Sequence, residues 1–132
     1  MRTKILFLLS FAVLFFSCKK EEGEGGMATI KGSIWVRDWD KNFNLMMYEY
    51  PGLDEDVFIV YGDQVGYGDK LSTDLNGNFE FKYLRKGTYT IYALSDTLPS
   101  VNVSYAQFPV AVKIEISEKK QVIDIGKLTV NR

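Results

Sequence analysis

Five oxygen-bearing side chains in one twelve-residue stretch, DWDKNFNLMMYE, are spaced as a hard cation needs them. Asp38, Asp40, Asn42 and Asn44 fall at positions one, three, five and seven, and Glu49 at position twelve, where a calcium loop places its closing bidentate carboxylate. Position six is Phe43 instead of the glycine on which such a loop turns, and the residues before it read as a strand, not a helix. The competing reading is a polar turn in which Asp and Asn side chains bond their own backbone. The same stretch is rich in aromatics. Trp35, Trp39, Phe43, Tyr48 and Tyr50 offer flat apolar faces with polar tips, suited to sugar rings or protein partners. The plainer alternative is that they cover the ends of a core, with Tyr67 and Tyr105 as candidate neighbours.

Catalysis has little to work with. The chain has no histidine, which removes the commonest general base and the commonest metal ligand together. Serine, threonine and tyrosine hydroxyls therefore lack an imidazole to activate them. Asp54 and Asp56, in LDEDV, sit at a strand start and read as a solvated acidic turn, not as two acids facing each other across a cleft. The expectation is a non-enzyme without a cofactor, calcium in the 38–49 loop being the one candidate.

The single cysteine, Cys18, lies between an apolar run and a charged, glycine-rich one. Arg2 and Lys4 precede ILFLLSFAVLFF, residues 5–16, whose only polar member is Ser10. As a helix this run rises about 18 Å, short of the ~30 Å hydrocarbon core, so it suits the apolar part of a signal peptide and not a lasting anchor. Cys18 has no disulfide partner, and KKEEGEGG after it offers nothing to be buried against. With Ser17 before the cysteine, the stretch resembles a bacterial lipoprotein signal. That resemblance implies a signal peptide over residues 1–17, an acylated Cys18, a flexible tether over 18–26 and a folded domain over 27–132. Lysines and acids directly after such a cysteine also resemble the surface-export tag of certain Gram-negative bacteria. The implied location is the outer membrane, lipid-anchored and with an outward-facing orientation as the candidate. The chain carries sixteen bases and seventeen acids; two of the bases precede Cys18, which leaves −3 after it. A mildly acidic surface argues against nucleic acid as a partner.

From Ala28 onward the apolar period is two. In VAVKIEIS, Val110, Val112, Ile114 and Ile116 share a face; in FEFKY, Phe79, Phe81 and Tyr83 do. TYTIYAL sets Tyr89, Ile91 and Ala93 against Thr90, Tyr92 and Leu94, and VFIVY is apolar on both faces. Ile30, Gly32, Ile34 and Val36 open the series, and residues 70–73 form a short strand. Residues 122–130 close it, with a one-residue slip at Gly126 that predicts a bulge. Asn76-Gly77 reads as a hairpin turn. Seven short strands in about a hundred residues predict an all-β sandwich.

STDLNGNFEFKYLRKGTYTIYAL resembles the core repeat of carboxypeptidase-regulatory-like, or transthyretin-like (prealbumin-like), domains. It does so through Thr73, Asp74, Gly77, Phe79, Phe81, Leu84, Gly87, Tyr89 and Ile91 in order. YPGLDEDVFIVYG, IKGSIWV and IDIGKLTV are similar to the second, first and last strands of that family. The resemblance implies a seven-stranded Greek-key sandwich, usually non-catalytic and often at the cell surface. It leaves RDWDKNFNLMMYEY and SDTLPSVNVSYAQF as longer connections, the places for an individual function. The expected role is therefore a lipid-anchored envelope module for protein interaction or assembly. A carbohydrate-binding accessory lipoprotein using the aromatic insertion is the alternative, and a calcium-binding module the third reading. The expected partners are the membrane through the lipid, and an envelope protein or a glycan.

Overall fold

The computed structural model describes residues 21–97 and 107–132, and every helix-or-strand element among them is a strand. In chain order these are β1 (Glu24–Trp39), β2 (Met46–Pro51), β3 (Asp56–Tyr61), β4 (Asp69–Ser72), β5 (Asn78–Leu84), β6 (Gly87–Asp96), β7 (Gln107–Ile116) and β8 (Val122–Asn131). They form two sheets packed as a sandwich. One is antiparallel throughout, in the order β4-β3-β6-β7. The other is organised around β1. β8 runs parallel along one edge of β1, at residues 29–37. Along the opposite edge β5 takes residues 24–33 and β2 takes residues 35–39, both antiparallel. A sixteen-residue strand thus has two short partners laid end to end on one side.

The predicted inward sets close on a single core. Tyr89, Ile91 and Ala93 of β6 are buried, as are Ile114 and Ile116 of β7, against Ile30, Ile34 and Val36 of β1. Each aliphatic side chain so buried stabilises the fold by about 1.5–3 kcal/mol. The slip at Gly126 is a bulge: Lys31 pairs with Asp124 but Ser33 with Lys127, so β8 has one residue more than β1 over this interval. Asp124 Oδ1 accepts from Gly126 N at 2.8 Å there. The threonine-aspartate pair has distinct structural duties. Buried Thr73 donates to Gly52 O and accepts from Glu55 N at 2.9 Å. Asp74 Oδ1 accepts from Asn76 N and Asn78 N, each at 2.9 Å.

Four expectations are corrected. The described strands number eight, not seven, because MMYEYP folds back along β1. β1 runs past the reach of β5, and its N–H and C=O groups at residues 35–39 need partners. Tyr83 does not face inward: it is 68% exposed and takes φ +60°, which lets Leu84 turn into the core in its place. Asn76-Gly77 is not a hairpin turn, since β4 and β5 lie in different sheets. Only Gly77 has positive φ, +78°, and a Cβ there would sit 2.6 Å from Ile34 O. The stretch assigned to a free tether over 18–26 is docked over its described part. Gly23 N donates to the Tyr89 hydroxyl at 2.9 Å, Arg85 N donates to Gly23 O at 2.9 Å, and β1 begins at Glu24. Glycine is needed at Gly26 because a Cβ would come within 2.0 Å of Leu84 O; bareness here permits contact, not only freedom.

Candidate functional site

The candidate residues lie on the β1–β2 ribbon, whose two faces follow from Val36. Val36 is fully buried and pairs with Tyr50, and Asp38 pairs with Tyr48, so these residues share the core-side face. Trp35, Arg37 and Glu49 lie on the outer face. There Glu49 Oε1 accepts from Trp35 Nε1 at 3.2 Å and from Arg37 Nε at 3.0 Å. The indole bond first, and then Arg37, hold the Glu49 carboxyl below its ordinary value of 4.5. The Lys127 ammonium lies 4.0 Å from the Trp35 ring centroid, a cation–π contact. Trp39 is half-buried and donates from Nε1 to Asn131 Oδ1 at 3.0 Å. On the other face, partial burial first, then the Asp38 and Glu55 carboxylates, push the Tyr50 phenol above its ordinary value of 10.0.

The calcium set is not assembled. Asp40 Oδ1 is committed to the turn, accepting from Asn44 N at 2.7 Å and Leu45 N at 3.2 Å. Phe43 supplies the left-handed turn at φ +53° despite not being glycine, and its N–H bonds Asp40 O at 2.9 Å. Asp38 and Glu49, which would close the shell, lie on opposite faces of the ribbon; Asn42 and Asn44 are exposed at its tip. Among the described residues no three His, Cys, Asp or Glu side chains are grouped to hold a metal ion. The polar-turn reading is the one that matches the geometry.

Nor do the five aromatics make one platform. Trp35 and Tyr50 are on opposite faces, Trp39 and Phe43 are half-buried, and Tyr48 is 66% exposed on β2. Tyr67 lies in the β3–β4 connection, its ring 5.0 Å from that of Phe58, which stacks on Tyr92 at 4.8 Å. Cys18 and Tyr105 lie outside the described residues.

What the ribbon does present is an open edge. All six residues of β2 are exposed, among them Met46, Met47, Tyr48 and Tyr50, with Leu45 and Leu53 exposed on either side. Among the described residues β2 pairs with β1 alone. Three other edges carry the usual devices. β4 is four residues long and carries Lys70, β7 carries Pro109 and Lys113, and β5 carries Glu80 and Lys82 and is kinked at Tyr83. On β2 the one proline, Pro51, stands at the strand's end, and the one charge, Glu49, is turned toward Trp35 and Arg37. Sequence reasoning passed over this strand because a strand exposed on both faces has no apolar alternation to announce it. It also missed a cleft of about 590 Å³ on the outer face of the β1 sheet, lined by residues of β1, β5 and β8.

No protein-family model matches the chain, and no curated protein matches it by sequence. Among solved structures it is similar to a candidate carbohydrate binding protein from Pseudomonas aeruginosa, at 15% identity over 83% of this chain and 91% of that one, with a TM-score of 0.47. It is also similar to part of a 9R-lipoxygenase from Cyanothece, at 19% identity over 94% of this chain but 20% of the enzyme, with a TM-score of 0.37. At these values neither likeness bears on function.

Proposed function

We propose that the protein is a non-catalytic, lipid-anchored module of the outer membrane that binds an extended segment of an envelope protein by strand addition to β2. The observation that carries this reading is the exposed β2 edge, which among the described residues pairs with β1 alone and has Met and Tyr side chains to either side. Backbone pairing gives such docking its affinity, and alternate side chains its selectivity.

The anchor and the edge are compatible in space. Glu22 Oε1 accepts from Thr88 N at 3.5 Å, so the chain is held at the β5–β6 turn four residues after Cys18. Four residues reach about 14 Å at most. β1 then runs sixteen residues, at most about 50 Å at ~3.3 Å each, and β2 lies beside its last five. An acylated Cys18 keeps the β5–β6 end at the bilayer and presents β2 away from it. In the same proposal the sandwich is of the transthyretin-like Greek-key type, with β2 added to its seven strands. The reading is supported by the four connections that cross between sheets, β2–β3, β4–β5, β5–β6 and β7–β8.

The test is a photo-crosslinking amino acid in place of Tyr48 or of Tyr67 in the full chain in intact cells. A discrete protein adduct from position 48, lost when Met47→Lys is added and absent from position 67, is the expected result. Equal adducts from both positions, or none from 48, overturn the docking edge.

A further inference from the structure

We infer that the cleft on the outer face of the β1 sheet is a second binding site, built for a neutral sugar unit of a glycan. It is independent of the β2 edge. The cleft measures about 590 Å³, enough for one or two pyranose rings. Its polar wall comes from three strands: Lys31 and Ser33 of β1, Asn78 and Glu80 of β5, Asp124 and Lys127 of β8.

Register makes this wall unusual. Lys31 stands opposite Glu80 on one side and opposite Asp124 on the other. Opposite charges facing across strands ordinarily pair. Yet among the described residues neither carboxylate lies within 4.0 Å of the Lys31 ammonium; Glu80 reaches Lys82 instead, at 3.6 Å. Asp124 uses Oδ1 on Gly126 N, and Asn78 bonds through its backbone, so donors and acceptors remain directed at the cleft. The bulge at Gly126 opens the space by carrying β8 one residue out of step with β1.

The composition of the wall selects the ligand class. With Asp74 included, two ammonium groups face three carboxylates, close to balance, so neither a polyanion nor a polycation is favoured. Ammonium, amide, hydroxyl and carboxylate groups side by side match vicinal hydroxyls, each of which both donates and accepts. Lys127 lines the cleft and rests its ammonium on the Trp35 ring, so a ligand that engages Lys127 changes the surroundings of that indole.

The test titrates the purified full chain, in a detergent without a sugar head group, with hexasaccharides of glucose, mannose, xylose and N-acetylglucosamine, and with oligogalacturonate as a polyanionic control. Heat of binding and tryptophan emission are both followed. The expected result is saturable binding of at least one neutral hexasaccharide. Lys31→Met and Asn78→Ala should each weaken it about tenfold, the effect of a lost hydrogen bond to a charged or well-placed polar partner. Met47→Lys, on the protein-docking edge, should leave it unchanged, so the two sites fail separately. Absence of neutral-sugar binding, preference for oligogalacturonate, or equal affinity in Lys31→Met and Asn78→Ala overturns the inference.

Discussion

At the scale of residues, the Tyr89 hydroxyl is fully buried, donates to Arg85 O at 2.7 Å and accepts from Gly23 N at 2.9 Å. It ties the turn before β6 to the segment that leads into β1. Removing it leaves buried main-chain groups without partners, which costs about 1–3 kcal/mol. Tyr89→Phe should therefore lower the unfolding free energy by that much, read as a lower urea midpoint with an unchanged slope; a change below about 0.5 kcal/mol contradicts the tie. Glu49 supplies a pH prediction of defined sign. Its carboxyl is held below 4.5, first by the Trp35 indole and then by Arg37. A depressed carboxyl contributes above its unfolded value and loses the contribution as pH falls through the folded one. In a Trp39→Phe background, Trp35 emission should stay constant from pH 8 to 5 and shift only below 4.5, and Glu49→Gln should abolish the shift. A midpoint above 4.5 sinks the assignment. Such pairings were not legible in the sequence. Counting positions along DWDKNFNLMMYE left a calcium shell and a polar turn both open, whereas in a ribbon successive positions point to opposite faces, and that parity parts Asp38 from Glu49.

At the scale of elements, strands buried on one face were legible and strands defined by their neighbours were not. β6 and β7 announced themselves by alternation, and the bulge in β8 by a slip in it. β2 is exposed throughout and exists because β1 outruns β5, a fact of topology that no local window contains. The Asn76-Gly77 turn was visible as a turn, but not as a crossing between sheets. Its glycine should prove far less replaceable than that of the bulge. Gly77 and Gly126 have φ +78° and +75°, but a Cβ at Gly77 meets Ile34 O at 2.6 Å and one at Gly126 meets nothing within 4 Å. Gly126→Ala should cost about 1 kcal/mol from φ alone, and Gly77→Ala distinctly more, with displacement of Gly52 from Ile34. Equal costs in thermal or urea unfolding contradict this ranking.

At the scale of the molecule, the organising feature is one long strand with opposite duties at its ends. At its start, Gly23 and Glu22 fasten the chain to the β5–β6 turn, close after the cysteine proposed to be acylated. At its finish, β1 carries β2 with an exposed edge. Lipid at Cys18 predicts that mass spectrometry of the membrane fraction finds a chain beginning at Cys18 with acyl mass added, and that Cys18→Ala releases the protein from membranes. Recovery of an intact leader on an unmodified thiol contradicts the anchor.

Hydrogen exchange tests strand addition most directly. The comparison is between the full chain in membranes from its own cells and the same chain purified in detergent. Peptides containing residues 46–51 should exchange more slowly in membranes, whereas those of the guarded edge β4, residues 69–72, exchange equally in both. Exchange of residues 46–51 at the same rate in the two preparations would mean that nothing pairs with β2.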